Sequence, residues 1–424
     1  MTLTDSLTGD TCRIIRHRSG LEIRVTELPD FRTASAQLVT KFGAQHIRYR
    51  TKDKPDIEKL PSGIAHYLEH KLFENTDCNA SELFAKLGAH DNAYTDYDRT
   101  VYYFQTAGAF PDALRVLLDF VIHPFFSAES VERERGIILQ ELQEALDDPA
   151  DVLEMQLMNG LYHAHPVRNH VLGTAQSIRQ ITPELLYQCH RSFYQLGNMA
   201  LCCAGHVSEA EILRITDELL PDHAEQPMQT ELLLPEEPET VCARHVQCSM
   251  DVGRTQFMIG FKSPPADGPE RLRESLLCLL VIELLAGDSS PLYLRLLDRG
   301  LLHDTFATDC LTGTGWFAVT AEGESDDPEA VCAALCDEIA RMKAEGIDEK
   351  RFDDCKKAAY GDAVLGMNSP EAAADAMTDA FVLGIDTPFA RTALLAALTP
   401  ADAQDCLKRR FDPNKLTVSV IAPL

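Results

Sequence analysis

Apolar and polar residues alternate through several short stretches of this 424-residue chain, and elsewhere apolar residues recur at three- and four-residue steps. Leu21 to Thr26, Val101 to Thr106, Phe257 to Phe261 and Trp316 to Thr320 read as strands. Cys12–His17 and Leu21–Thr26 follow one another across Ser19-Gly20, which favours antiparallel pairing over a doubly wound sheet. Helical spacing joins Ile64, Ala65, Leu68, Leu72 and Phe73 behind Ser62, a residue able to cap a helix. A longer helix is predicted over Glu129 to Leu146, ahead of Pro149. On it Val131, Glu134, Ile138, Glu141 and Ala145 form one stripe, while a competing core face runs through Leu139, Leu142 and Leu146. The longest apolar run, Leu276 to Ala286, reaches about half the length of a bilayer span and contains Glu283.

The same arrangement is used twice. Thr182-Pro183 opens an amphipathic helix carrying Cys189, followed by Phe193-Tyr194, Asn198 and the apolar run Met199 to Ala204. Thr399-Pro400 opens another carrying Cys406, followed by Phe411, Asn414 and the run Leu416 to Ala422. Thr182 and Thr399 lie 217 positions apart, as do Pro111 and Pro328; Thr106 and Thr320 lie 214 apart. Nearly constant offsets of this kind mark a duplicated unit. Between the copies, Pro221 to Thr240 carries four prolines and several acidic residues, the chemistry of a linker. The expected fold class is therefore α+β, with two homologous α/β-sandwich units of antiparallel sheet and helices. The expected boundaries are 1–220, a linker at 221–240, and 241–424.

Length suits two cores of about 200 residues each, and 45% hydrophobic with 25% charged residues is an ordinary globular balance. A formal charge of −27 disfavours nucleic acid and anionic membrane surfaces as partners and suits basic peptides. Met1-Thr2-Leu3-Thr4-Asp5 lacks the basic and apolar regions of a signal peptide. The 13 cysteines are odd in number and include no Cys-x-x-Cys pair; Cys332 and Cys336 share a helix face, and Cys202-Cys203 sits in an apolar run. Free, mostly buried thiols in a reducing cytoplasm are the expectation.

The chemistry lies in His66-Tyr67-Leu68-Glu69-His70. His66 and His70, one helical turn apart, place two imidazoles on one face, as a tetrahedral zinc requires, and Glu69 projects from the same side toward a water. This is the reversed His-x-x-Glu-His order. On an exposed helix the same residues can also fall together by accident. Catalytic zinc needs a third protein ligand, and the Glu129–Leu146 helix offers Glu141 or Glu144; Asp147 and Asp148 approach its end. Glu134 and Glu141 share a stripe with apolar residues, where a bare carboxylate is expensive to bury and a metal or fixed cation would offset the cost. His163, His165 and His170 are spaced like no zinc motif and read as ordinary loop histidines.

Together with Glu134-Arg135-Gly136-Ile137-Ile138-Leu139-Gln140-Glu141, the motif resembles the inverzincin peptidases, the pitrilysin, insulinase and mitochondrial processing peptidase family. The run Glu69 to Glu74 is closest to the family's bacterial YmfH-type branch. The resemblance implies His66, His70 and Glu141 as ligands of one zinc per chain, Glu69 as general base and Glu134 as a supporting acid. Gly88 to Thr95 looks like the family's substrate-pairing edge strand, with Asn92 and Ala93 at its centre and Ala89 replacing a family glycine. His165-Pro166, Gly173-Thr174 and Phe193-Tyr194 extend the likeness through the first half.

The second half departs further. His66 and His70 fall on Leu280 and Leu284, while Glu283 stands opposite Glu69. Where the family carries an arginine and a tyrosine near a Gly-Leu-x-Tyr turn, this chain has Arg295, Arg299 and Gly300-Leu301-Leu302-His303. The resemblance implies a zinc metalloendopeptidase acting on peptides or unfolded segments, with two similar domains, catalytic 1–220 and inactive 241–424, closing like a clamshell. It also implies a homodimer, or a heterodimer with a related subunit lacking the motif. The alternative is a non-catalytic or weakly active subunit with a peptide-binding role.

Overall fold

The computed structural model describes residues 1–52, 54–74, 79–222, 230–303 and 305–424. In chain order its strands are β1 (Thr2–Thr4), β2 (Thr11–Arg16), β3 (Glu22–Glu27), β4 (Ala34–Thr40), β5 (Arg48–Thr51), β6 (Lys54–Lys59), β7 (His90–Thr95), β8 (Thr100–Thr106), β9 (Met199–Gly205), β10 (Thr230–Leu232), β11 (His245–Met250), β12 (Gln256–Lys262), β13 (Ala307–Gly313), β14 (Trp316–Glu324) and β15 (Leu416–Pro423). The chain forms two compact units. One comprises Met1–Leu142, Asn169–Leu233 and Leu365–Ala390; the other comprises Gln143–Arg168, Leu234–Val364 and Arg391–Leu424.

The first unit is built on a seven-stranded sheet ordered β1-β2-β3-β9-β4-β8-β7, with a smaller sheet β10-β5-β6 beside it in sequence. β4 and β9 are buried along their whole length, as central strands covered on both faces are. The second unit carries a five-stranded sheet ordered β11-β15-β12-β14-β13. Strand for strand this repeats β3-β9-β4-β8-β7. β3 runs parallel to β9 and β11 parallel to β15, and the remaining pairs of each five are antiparallel. The fold is α+β and duplicated, as the spacings predict. The sheets are mixed rather than wholly antiparallel, because in each set of five the last strand returns beside the first, β9 beside β3 and β15 beside β11.

Local chemistry explains why the closing segments match. Thr182 and Thr399 both accept from a backbone N–H three residues on, capping helices Pro183–Phe193 and Pro400–Arg410, each with proline in the first turn. A 3₁₀ turn follows in each copy, Leu196–Asn198 and Pro413–Lys415, and leads into β9 and β15. Cys189 and Cys406 are fully buried in both.

The compact units differ from a division at 221–240 by one helix each. Helix Pro149–Leu161, from the first half of the chain, belongs to the second unit, where Leu157 lies against Gly260 of β12 and Ser419 of β15 donates to the Leu153 carbonyl at 2.9 Å. Helix Pro370–Val382, from the second half, belongs to the first unit. Its Ala374, Met377 and Phe381 complete a core with Ile14, Val39, Val101 and Cys202, and Thr378 donates to Gln37 at 2.7 Å. The linker is more than a spacer: β10 pairs with β5, and Glu237 accepts from the backbone N–H groups of His163, Ala164 and His165 and from Lys262.

The Leu276–Ala286 run lies in helix Gly268–Ala286 and forms core in the second unit. Among the described residues no single helix is long and apolar enough to cross a membrane.

Candidate metal centre

The motif helix spans Ile64–Leu72. Ser62 does not cap it; its hydroxyl donates to Ser177 at 3.0 Å instead. Gly63 starts the helix at φ 86°, and a β-carbon there would stand 2.2 Å from the Leu172 carbonyl oxygen. Gly173 packs back on the same spot, its own β-carbon position 2.4 Å from the Ser62 carbonyl. Two glycines back to back thus set where the motif helix begins, and only glycine permits both the positive φ and the approach.

The acidic helix spans Ala128–Asp147 and turns the stripe of Val131, Glu134, Ile138 and Glu141 inward. Of the competing face, Leu142 is buried, Leu139 half-buried and Leu146 exposed. The two helices are fastened by Tyr67 donating to the Val131 carbonyl, by His70 Nδ1 at 2.9 Å from Glu134 Oε1, and by buried Lys71 and exposed Arg133 meeting on Glu74. This fixes the register in which Glu141 meets the histidines. Glu141 Oε1 lies 3.6 Å from His66 Nε2, and its Oε2 lies 3.6 Å from His70 Nε2. One ligand atom from each of His66, His70 and Glu141 falls within 4.8 Å of the others. Glu144, the other candidate ligand, is exposed on the helix and outside this group, as are Asp147 and Asp148.

The donor set fits a zinc ion. The nitrogen–oxygen separations exceed hydrogen-bonding distance yet suit donors each about 2.1 Å from a shared ion. Burial pushes the His66 pKa down to about 3, with His70 and His170 adding to the effect, so this imidazole is neutral and its lone pair available. Burial acts in the same sense on His70, but the Glu134 hydrogen bond and the charges of Glu141, Glu69 and Glu134 outweigh it and raise its pKa. Carboxylates that favour a proton on His70 equally favour a divalent cation beside it.

Glu69 is buried next to this group. Burial lifts its carboxyl to about 7, opposed by a hydrogen bond from Thr95 and by His70, with Glu141 adding to the rise. Thr95 Oγ1 donates to Glu69 Oε2 at 2.6 Å. Thr95 ends β7, the outermost strand of its sheet, and Asn92 and Ala93 stand at the middle of that strand with Asn92 exposed. Thr95 is a site residue that the motif alone does not single out. Its signal is the period of two that puts Ala93 and Thr95 on one face of the strand.

The three loop histidines do not form a second metal group among the described residues. His165 is buried against the Thr314 carbonyl, His163 faces the Thr240 carbonyl, and His170 accepts from the Leu172 N–H. In the second unit Leu280 and Leu284 are buried in the apolar core. Arg295 is paired with Glu338 at 2.9 Å and Arg299 is exposed at a helix end. The His303 N–H donates to the Glu324 carbonyl.

A two-unit α+β fold with a reversed His-x-x-Glu-His helix and a glutamate from the next long helix defines a class, and comparison with known proteins gives it a name. Residues 57–175 match the insulinase family, peptidase family M16, and residues 180–359 match the inactive domain of the same family. The chain belongs to this family. It is 31% identical over 411 residues to the uncharacterized zinc protease YmfH of Bacillus subtilis, covering 96% of this chain and 95% of that protein. The crystal structure of an M16-like peptidase candidate from Alicyclobacillus acidocaldarius superposes over the full length of both chains with a TM-score of 0.94 at 28% identity. A protease from Helicobacter pylori shares the fold at 18% identity and a TM-score of 0.84, over 97% of this chain and 99% of its own.

Proposed function

We propose that this protein is a zinc metallopeptidase that hydrolyses peptide bonds in peptides or unfolded segments. The observation that carries the reading is the convergence of His66, His70 and Glu141, with Glu69 buried beside them and tied to an edge strand. Zinc held by the three ligands would supply a Lewis acid that acidifies water and polarises a carbonyl. Glu134, bonded to Nδ1 of His70, fixes that ring so that Nε2 faces inward. Glu69 accepts a proton from the attacking water and returns it to the leaving amine, and Thr95 steadies its other oxygen. An extended substrate adds to β7 along Asn92 and Ala93, which gives backbone affinity with little sequence preference. The test is digestion of a peptide library by the zinc-loaded chain and by Glu69→Gln; equal activity in the two overturns the reading.

A second reading is a weakly active member of a pair. It is favoured by the region where the family carries its arginine and tyrosine: here Arg295 is engaged by Glu338, and His303 occupies the tyrosine position. A homodimer, or a heterodimer with a related subunit lacking the motif, fits this reading. The free thiols of the described cysteines support a reducing, cytoplasmic setting.

A further inference from the structure

The second unit holds a cavity of about 610 Å³ at the place where the metal centre lies in the first. One wall is helix Gly268–Ala286, whose Leu280 and Glu283 stand where the motif helix has His66 and Glu69. The facing wall is helix Glu349–Gly366. It matches the acidic helix at one constant offset, pairing Val131 with Phe352, Ile138 with Ala359, Glu141 with Asp362 and Pro149 with Pro370. Val131 and Phe352 are both fully or almost fully buried, so the register holds in packing as well as in sequence.

Two exchanges open the space. Leucine replaces histidine on the first wall, making it apolar. Alanines at 358, 359 and 363 replace larger side chains on the second, which leaves volume unfilled where the first unit packs Ile138. The charged part of the lining is Glu283, Asp354, Asp362 and Arg391, an excess of carboxylates, and all but the half-buried Glu283 are exposed. The Glu283 carboxyl lies over Gly287, where a β-carbon would stand 2.1 Å from it. Arg351, the other nearby cation, is turned to the Leu284 carbonyl at 3.1 Å. The floor is therefore greasy and the mouth anionic, within the size range of ordinary ligand pockets.

We infer that this vacated counterpart of the metal centre is a peptide-anchoring site, which takes an apolar side chain into the cavity and a neighbouring basic group against Glu283, Asp354 and Asp362. The inference deepens the peptidase reading by naming a feature of the substrate, and rests on that reading for the peptide nature of the occupant. Charge complementarity selects the occupant: an acidic or neutral apolar peptide would leave Glu283, Asp354 and Asp362 with Arg391 as the one cation of the lining.

The probe is a short acetylated peptide with photo-leucine beside arginine, added to the full-length Glu69→Gln chain so that it is not consumed. Irradiation and peptide mapping should place the label on helices Gly268–Ala286 and Glu349–Gly366. Ala359→Phe, which fills the cavity, should weaken labelling about tenfold, as should glutamate in place of the probe's arginine. Asp362→Lys, an exposed change that leaves the core untouched, should do the same and guards against misfolding of the filled variant. Label confined to residues 90–95, or labelling indifferent to all three changes, overturns the inference. Cleavage by the wild-type chain, alone and with a related motif-less subunit added, is scored separately: labelling without cleavage in either case sinks the peptidase reading and keeps the pocket, and cleavage without labelling does the reverse.

Discussion

The hydroxyl of Thr95 donates to Glu69 Oε2 at 2.6 Å, so the last residue of the sheet's edge strand holds the buried carboxylate assigned as base. That bond lowers the Glu69 pKa against the effect of burial. Thr95→Val should raise the Glu69 pKa and move the acidic limb of the pH–kcat/KM profile to higher pH. It should also reduce turnover about tenfold through loss of positioning. An unshifted acidic limb would separate Thr95 from the base.

Metal content distinguishes ligand from base. Purified protein should hold about one zinc per chain, and Glu141→Ala should lose most of it while Glu69→Gln retains it. Elemental analysis of both variants, with circular dichroism to check folding, decides the point. Full retention by Glu141→Ala would remove that residue from the ligand set.

Gly63→Ala tests whether the glycine pair places the motif helix. Positive φ together with the approach to Leu172 should destabilise the protein by on the order of 2 kcal/mol. Zinc affinity should fall with it, because the histidines ride on that helix. Thermal melting and zinc titration should move together. A stable variant with normal affinity would show that the turn relaxes without cost.

Glu237 gives a stability signature at low pH. Burial alone would raise its pKa, but Lys262 and the N–H groups of His163, Ala164 and His165 bring it down to about 2. A depressed carboxyl contributes stability above its unfolded value, near 4.5, and loses that contribution as pH falls toward 2. Glu237→Gln should cost about 2 kcal/mol at neutral pH after allowance for solvent screening, and little below pH 2. Denaturant unfolding across that range tests it, and a pH-independent difference would refute the assignment.

Activity of the isolated chain tests the paired-subunit reading. Loss of an oxyanion donor typically lowers rate about a hundred- to a thousandfold. Weak cleavage alone, rising at least about tenfold when a related motif-less subunit is added, is expected if the donor comes from a partner. Vigorous cleavage alone, abolished by His303→Ala, would place the donor within this chain.

The ligand helices were legible because they combine two strong signals, imidazoles one turn apart and carboxylates set in an apolar stripe. Helix spacing alone left Glu144 open beside Glu141, which the family resemblance implied, because the docking of Tyr67 on Val131 and of His70 on Glu134 sets the rotation of the acidic helix. The duplication was legible through Thr-Pro helix starts, whose capping is local. Ser62 was read as a cap because its hydroxyl suits that chemistry, but Gly63 takes the position, and the opposing Gly173 lies too far along the chain for spacing to reveal. Thr95 and the exchanged helices escaped for a similar reason: their partners are chosen by tertiary packing, not by neighbours in sequence.

The lending of one helix by each half has a consequence for how the chain can be cut. A fragment ending at residue 222 would keep Pro149–Leu161 without the sheet it covers, and would leave Ile14, Val39, Val101 and Cys202 without Ala374, Met377 and Phe381. Neither half is a self-sufficient folding unit, although each carries a complete repeat.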